Sequence, residues 1–376
     1  MDLSILNSVP PPSILQLEVT KNCNLRCIMC HKGQMPDGVD FNRKDITDVI
    51  LAQLSPVYKH LKHAMLFGDG EPMIYSKFWN IVNDIRSASS QCAIDFINNG
   101  TMMHEKNIKN CLDYKVSHMG LSVGGATPES HNYIRKDSDF DQIVDNFKML
   151  KEMKIQAKTF EPYVTALIVV MQSNYREIVD LVKLCSDLNF YDIHLQKLFV
   201  THPSMECEAV SDEEVNTVFK NASVMAQKRK IGFIHYPISN GNYNSYEYCN
   251  FDLSDRFFQP KYNKIDTSGY CKYQQPWNSI YVLHDGKVVP DCHWWSSSYR
   301  TDLNNCGILN EQTNIFDIWY GAKYQKIRHE ISKGVILPQC RGCGLSGGVT
   351  ESFRSHLTDH TNPDQERKLV MLNVKT

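Results

Sequence analysis

The first regular pattern in the chain is strict alternation. Leu15, Leu17 and Val19 stand on one face of the stretch Ile14 to Thr20, and Gln16, Glu18 and Thr20 on the other, the period of a strand with one apolar side. Short apolar runs of strand character recur at Ala64–Phe67, Ala93–Ile97, Met119–Val123, Tyr163–Val170, Asp192–Phe199 and Ile231–Tyr236. Between them the period changes. Phe140, Ile143, Val144, Phe147, Leu150 and Met153 recur at helical spacing. Ser211 with Glu214 three residues later is a capping-box signature, opening a helix that runs to about Arg229. Strand and helix in alternation predict an α/β fold with a parallel sheet and crossover helices. About six or seven strands suit an open or partial barrel, TIM-like in layout, with any active site at the C-terminal strand ends.

From about Asn240 the texture changes. Asn240 to Asn250 is rich in Asn, Tyr, Ser and Gly and reads as a loop. Beyond it, Ser279–Leu283 and Lys287–Pro290 flank His284-Asp285-Gly286 and predict a hairpin with a Gly turn. Ile315 to Ile331 predicts a helix. The expected organisation is a barrel domain over 1–240, a smaller cysteine-rich domain over 241–357, and a polar tail over 358–376.

Composition narrows the class. In 376 residues, 42% are hydrophobic and 22% charged, ordinary for a globular protein, and the net charge of −2 gives no field that would favour nucleic acid or an anionic membrane. The longest apolar run, Ala166 to Met171, is far short of the ~18 residues of a membrane span. The first residues, MDLSILNSVPPPS, lack the basic start and apolar core of a signal peptide. Thirteen cysteines without a secretion signal point to a reducing, cytoplasmic setting and to metal or redox use rather than a disulfide framework.

Three of those cysteines follow the first strand directly: Cys23, Cys27 and Cys30, spaced C-x3-C-x2-C. An iron–sulfur cluster is normally held by four cysteines, so three on one loop leave an iron of a cubane open to an exogenous ligand. A zinc knuckle with His31 as fourth ligand fits the same spacing. Other strands also end on small or polar residues. Gly68-Asp69-Gly70-Glu71-Pro72 follows the second, Asn98-Asn99-Gly100 the third, and Ser122-Val123-Gly124-Gly125-Ala126 the fourth. Glycines let backbone approach a ligand closely, and a carboxylate among them could receive an ammonium group.

In order and position these motifs resemble the radical S-adenosylmethionine (SAM) superfamily, over roughly residues 12 to 200 and more loosely to about 240. The resemblance implies a 4Fe–4S cluster on Cys23, Cys27 and Cys30 whose unique iron binds the amino and carboxylate groups of SAM. It places Gly68, Gly70 and Glu71 at the SAM amino group, with Asn99 as a further contact, and Ser122 and Arg135 near the ribose or carboxylate. Two positions depart from the family pattern. Asp69 stands where Gly-Gly-Glu-Pro has a glycine or its neighbour, and Met29 replaces an aromatic residue near the adenine, a place its adaptable side chain can fill.

A second set, Cys271, Cys292, Cys340 and Cys343, has the spacing C-x20-C, a long gap, then C-x2-C. With the Gly286 hairpin and a helix over Trp319–Ile327 it resembles the shortened SPASM, or Twitch, domain, implying one auxiliary 4Fe–4S cluster with four thiolate ligands. Asp291 stands one residue before Cys292, so either can be the ligand after the turn, and thiolate is the softer partner for iron–sulfur clusters. A structural zinc site with four cysteines fits the same spacing.

Of the remaining cysteines, Cys92, Cys111 and Cys185 fall on predicted core elements, and Cys207 and Cys306 read as incidental. Cys249 lies in the loop leaving the last strand; in radical SAM epimerases a thiol near the barrel mouth gives a hydrogen atom to the substrate radical. His194 and Gln196, then His235 and Tyr236, are expected to face inward at late strand ends, as polar filling or as substrate contacts. The resemblance implies reductive SAM cleavage and hydrogen abstraction, with flavodoxin or ferredoxin as electron donor. The first strand begins about a dozen residues into the chain, leaving no room for a leader-recognition domain, and the auxiliary domain is of the single-cluster type. Both favour oxidation or epimerisation of a carbohydrate- or aminocyclitol-like small molecule. Modification of a ribosomally made peptide is the alternative, and a non-catalytic metal-binding scaffold the alternative of another class.

Overall fold

The computed structural model describes residues 9–34, 44–200, 202–235, 247–248, 275–290 and 305–332. The core strands are β1 (Ile14–Leu17), β2 (His63–Met65), β3 (Ala93–Asn98), β4 (His118–Val123), β5 (Tyr163–Val170), β6 (Asp192–Lys197) and β7 (Gly232–His235), each parallel to the next. They form the expected α/β sheet, unclosed, as a partial barrel. The helices α1 (Asp48–Leu54), α2 (Phe78–Ala88), α3 (Glu105–Asp113), α4 (Pro128–Ile134), α5 (Phe140–Gln156), α6 (Ile178–Asp187) and α7 (Asp212–Arg229) fall between strands. The capping box at Ser211 and Glu214 is present at the start of α7.

Alternation decides which side chains meet which layer. On β4, Met119, Leu121 and Val123 are buried against helices, while His118, Gly120 and Ser122 take the inner face. Inner faces stay in register across strands: Asp95 lies beside His118, Thr165 beside Asp192, and Leu167 beside His194. On β1, Leu15 and Leu17 are fully buried, and Val19 continues that face, as the alternation predicts. Cys92, Cys111 and Cys185 are buried in the core, where desolvation pushes their thiols up, that of Cys92 to about 12.

Three differences from the sequence reading have local causes. His235 faces outward: it is buried and tilts against the rings of Phe219 on α7 and Phe233, at 5.0 and 5.9 Å. Phe233 and His235 share a face by the two-residue period, so Ile234, beside His194, takes the inner one. Within the segment expected to be loop, β8 (Glu247–Tyr248) pairs antiparallel with β7. The single helix expected over Ile315–Ile331 is two, α9 (Ile315–Trp319) and α10 (Ala322–Ser332). They part at Gly321, where a Cβ would lie 2.6 Å from the Asp317 carbonyl.

The cysteine-rich half is joined to the barrel through the sheet itself. After a short helix, α8 (Gln275–Asn278), β9 (Ser279–Val282) runs parallel to β1 on the side opposite β2, with Leu15 beside Ile280 and Leu17 beside Val282. The hairpin partner β10 (Lys287–Val289) and then β11 (Gly307–Ile308) extend the same sheet to eleven strands among the described residues. Trp319 donates from Nε1 to the Pro10 carbonyl at 2.9 Å, and the buried Arg328 lies 4.2 Å over the Trp319 ring while donating to the carbonyls of Pro276 and Trp319.

Candidate functional site

The triplet loop leaves the C-terminal end of β1 and is tied down mostly by backbone. Cys30 donates its amide to the Cys27 carbonyl at 3.0 Å, and Gly33 to Cys30 at 2.9 Å. Arg26 and Ile28 donate to the carbonyls of Lys136 and Ile134, binding the loop to the end of α4. Cys27 is buried, Cys30 half-buried and Cys23 exposed. Among the described residues no three His, Cys, Asp or Glu side chains converge on a single ion. A cubane does not ask for that, because each thiolate takes a separate iron.

The Gly68–Pro72 segment packs directly onto this loop. Glu71 donates its amide to the Asn22 carbonyl at 2.8 Å. A Cβ on Gly70 would meet the carbonyl oxygens of Thr20 and Asn22, the latter at 2.5 Å, so only glycine lets the two backbones lie this close. Asp69, a departure from the family pattern, has local work: its carboxylate lies 3.3 Å from His31 Nε2 and 3.6 Å from Lys32 Nζ. Burial would raise its pKa, but the hydrogen bond with His31 and the charge of Lys32 hold it below the usual range. The same pairing, with a contact to Cys30 behind it, lifts His31 to about 9. Lys32 is itself buried and donates to the carbonyls of Lys21 and Asp69, stitching the cluster loop to the glycine segment.

Glu71 is the centre of the arrangement. It is buried, and its two oxygens accept from the Asn99 amide at 2.7 Å and the Met73 amide at 3.3 Å. Desolvation outweighs these bonds and pushes its carboxyl up to about 7. Asn99 donates from its side chain to Asn24 Oδ1 at 2.8 Å, and Asn24 donates to Thr101 Oγ1 at 2.9 Å, so the ends of β2 and β3 meet the cluster loop here. Arg135, at the end of α4, is buried with Nη1 3.6 Å from the Cys27 sulfur, and its Nε has no partner among the described residues. Ser122 sits half-buried on the inner face of β4. These parts suit a SAM-binding cluster: three thiols, a buried cation beside one of them, a buried carboxylate near neutrality, and a glycine held against backbone.

Sequence reading missed Glu18, Asn24, Lys32 and His284. Asn24 and Lys32 lie within the triplet segment, where polar residues carry no distinguishing signal. Glu18 was readable only as a polar inner-face position. Cys249, Cys271, Asp291, Cys292, Cys340 and Cys343 lie outside the described residues, as does Tyr236.

Comparison with known proteins agrees with this geometry. The model of the radical SAM superfamily matches residues 17–185, and that of the SPASM iron–sulfur cluster-binding domain matches residues 271–344. A relative from Pyrococcus furiosus, the tungsten-containing aldehyde ferredoxin oxidoreductase cofactor-modifying protein, is 23% identical over 341 residues, covering 88% of this chain and 87% of its own. Streptococcus suis SuiB bound to S-adenosylmethionine has a similar fold, with a TM-score of 0.59 at 15% identity over 92% of this chain and 73% of that one. So has anSMEcpe solved with S-adenosylmethionine and a peptide, with a TM-score of 0.57 at 19% identity over 89% and 86%. The chain belongs to the radical SAM superfamily and carries a C-terminal SPASM domain, so its cofactors are SAM and 4Fe–4S clusters.

Proposed function

We propose that this radical SAM enzyme oxidises or epimerises a hydroxyl-rich small molecule of the carbohydrate or aminocyclitol kind. The observation that carries the substrate class is the polar inner face of the barrel, where Ser122 and His194 sit above a row of polar side chains at the N-terminal strand ends. His63 lies 3.0 Å from Asp95, which lies 3.9 Å from His118. His118 meets Thr165 at 2.7 Å, Thr165 donates to Asp192 at 2.5 Å, and Asp192 lies 3.1 Å from His194. Five strands thus contribute to one continuous polar floor at their N-terminal ends, and above it Ser122 and His194, half-buried on the inner face, offer partners to hydroxyl groups.

Cys23, Cys27 and Cys30 would hold the SAM-binding cluster, and Gly68, Gly70, Glu71, Asn99, Ser122 and Arg135 the SAM. Cys271, Cys340 and Cys343, with Cys292 rather than Asp291, would hold an auxiliary cluster. When bound, the SAM-binding cluster supplies the electron that cleaves SAM to methionine and a 5′-deoxyadenosyl radical, the species that takes a hydrogen from the substrate. The chain's own residues prepare that event. Glu71 accepts the ammonium group, which favours its ionised form. Arg135 and Lys32 offset negative charge on the cluster loop. The barrel wall holds the target C–H bond in place and keeps out water and stray hydrogen donors. Flavodoxin or ferredoxin, in a cytoplasmic setting, fits the need for a low-potential electron. Cys249 is the proposed hydrogen donor if the outcome is epimerisation.

Modification of a ribosomal peptide is the second reading, supported by the fold shared with anSMEcpe, which was solved with a peptide bound. Anaerobic reconstitution tests the common core. About eight irons per chain are expected, from two 4Fe–4S clusters, with SAM cleavage under dithionite; zinc without cleavage would make the chain a scaffold. A screen of polyols and peptides, scored by 5′-deoxyadenosine above background, then separates the substrate classes. Loss of two hydrogens marks oxidation. Unchanged mass with deuterium uptake from heavy water marks epimerisation, and Cys249→Ala should abolish that uptake.

A further inference from the structure

A buried carboxylate lies beneath the Gly68–Pro72 segment, and SAM binding as described above does not use it. Glu18, just past the end of β1, is completely buried. Its Oε2 accepts the Asp69 amide at 3.0 Å, and its Oε1 lies 2.6 Å from Nδ1 of His284. A carboxylate accepts, so the imidazole donates from Nδ1. His284 is itself buried, and its Nε2 meets no partner among the described residues. It comes from the far end of the chain, 266 residues away, in the turn between β9 and β10. The two turns are brought together by the pairing of β1 with β9, which continues as Glu18 donates its amide to the Val282 carbonyl at 2.9 Å.

Gly68 reports the same arrangement independently. A Cβ at that position would lie 2.5 Å from Glu18 Cγ and 2.6 Å from Oε2. The glycine segment therefore has no room for a side chain at its first position while Glu18 holds this rotamer. Three contacts converge on that rotamer: the missing side chain at Gly68, the amide of Asp69 and the imidazole of His284. Two residues beyond Asp69, Glu71 accepts the amides of Asn99 and Met73 in the candidate SAM site.

We propose that Glu18 and His284 are positioning residues for SAM, through which the hairpin of the SPASM half holds the segment that carries Glu71. The inference rests on the SAM-site reading above. His284 fixes the Glu18 carboxylate, Glu18 fixes the Asp69 amide, and the short backbone from Asp69 sets where the Glu71 carboxylate meets the SAM ammonium. A displacement of about 1 Å at such a group is enough to cost binding or rate. Coupling of this kind is reciprocal, so SAM should also steady the hairpin.

The test uses anaerobically reconstituted enzyme with no reductant, so that SAM is bound but not cleaved. Equilibrium dialysis measures its affinity, and iron content and thermal melting check that the protein is intact. The double variant Glu18→Leu with His284→Leu removes charge and partner together, a change that buried pairs often tolerate in stability. It is expected to bind SAM about tenfold more weakly, the size of one lost buried hydrogen bond, with iron content unchanged. Glu18→Gln, which can keep both hydrogen bonds in neutral form, is expected to stay within about threefold of the parent. Wild-type affinity in the double variant overturns the proposal, as does equal loss in both. Hydrogen exchange on the unaltered enzyme adds a reading free of any substitution: SAM should slow exchange of the Val282–Val289 amides, and unchanged rates would overturn the coupling. An unaltered enzyme that binds no SAM fails earlier and differently, because it removes the SAM site itself.

Discussion

At the scale of single residues, Glu71 combines burial with two amide donors among the described residues, and burial wins. A carboxyl whose pKa rises from 4.5 to about 7 on folding makes the native state bind the extra proton. The unfolded chain releases its proton first, so this contribution to stability is complete below about pH 4.5 and is lost as pH rises through 7, by about 3 kcal/mol in all. Ligand binding runs the other way. An ammonium group needs the ionised form, so SAM affinity of the unreduced enzyme should rise as pH passes through 7. Glu71→Gln should bind SAM weakly at every pH, and the SAM-free variant should lose the downward slope of stability in urea unfolding between pH 5 and 8. A parallel pH dependence in the variant would mean that another group titrates. Glu71 and Asn99 could be named as candidates because each stands in a short motif at a strand end, and Arg135 because the family resemblance places it near SAM. Glu18 and His284 could not, since each is a lone polar residue whose meaning appears only when the fold brings together positions 266 apart in the chain.

At the scale of elements, the sequence pattern located β1 to β7, while β8 fell in a segment read as loop, and the other errors lay at ends and at breaks. The helix expected over Ile315–Ile331 kept its apolar face but parted at Gly321, whose Cβ-free backbone lets the chain turn against the Asp317 carbonyl. His235 was misplaced by an inner-face assignment that the strand's two-residue period reverses. The hairpin between β9 and β10 was read correctly because its turn needs glycine. Gly286 has φ of +82°, and a Cβ there would also lie 2.7 Å from the Leu309 carbonyl. Its amide bonds the Leu283 carbonyl at 2.9 Å, closing the turn that carries His284. Gly286→Val should therefore destabilise the protein by about 2 kcal/mol or more from backbone strain and crowding together. The effect should appear as a lower urea midpoint with unchanged slope. A variant as stable as the parent would show that the turn can rearrange at little cost.

At the scale of the whole molecule, composition and motif predict a barrel domain over 1–240 followed by a smaller cysteine-rich domain over 241–357. The sheet runs across that boundary. β1 carries the cluster loop, and it is flanked by β2 on one side and β9 on the other. Sequence could show that the second half contains a hairpin, but not that the hairpin extends the first half's sheet, because pairing partners distant in the chain leave no periodic trace. A fragment ending at residue 248 would strip β9 from β1, leaving Ile14–Leu17 as an open parallel edge. It would also remove the Trp319 hydrogen bond to Pro10 and leave Glu18 buried without His284. An exposed apolar edge invites pairing between chains, and a buried carboxylate that loses its partner destabilises what remains by about 3 kcal/mol or more. Such a fragment is expected to aggregate during expression, although it retains all three triplet cysteines and every proposed SAM contact. Solubility and size-exclusion chromatography decide the matter. A monodisperse fragment that assembles its cluster and binds SAM as the full chain does would make the SPASM half a separable module. An aggregated one would mean that the catalytic barrel of this protein is completed by strands from its auxiliary half.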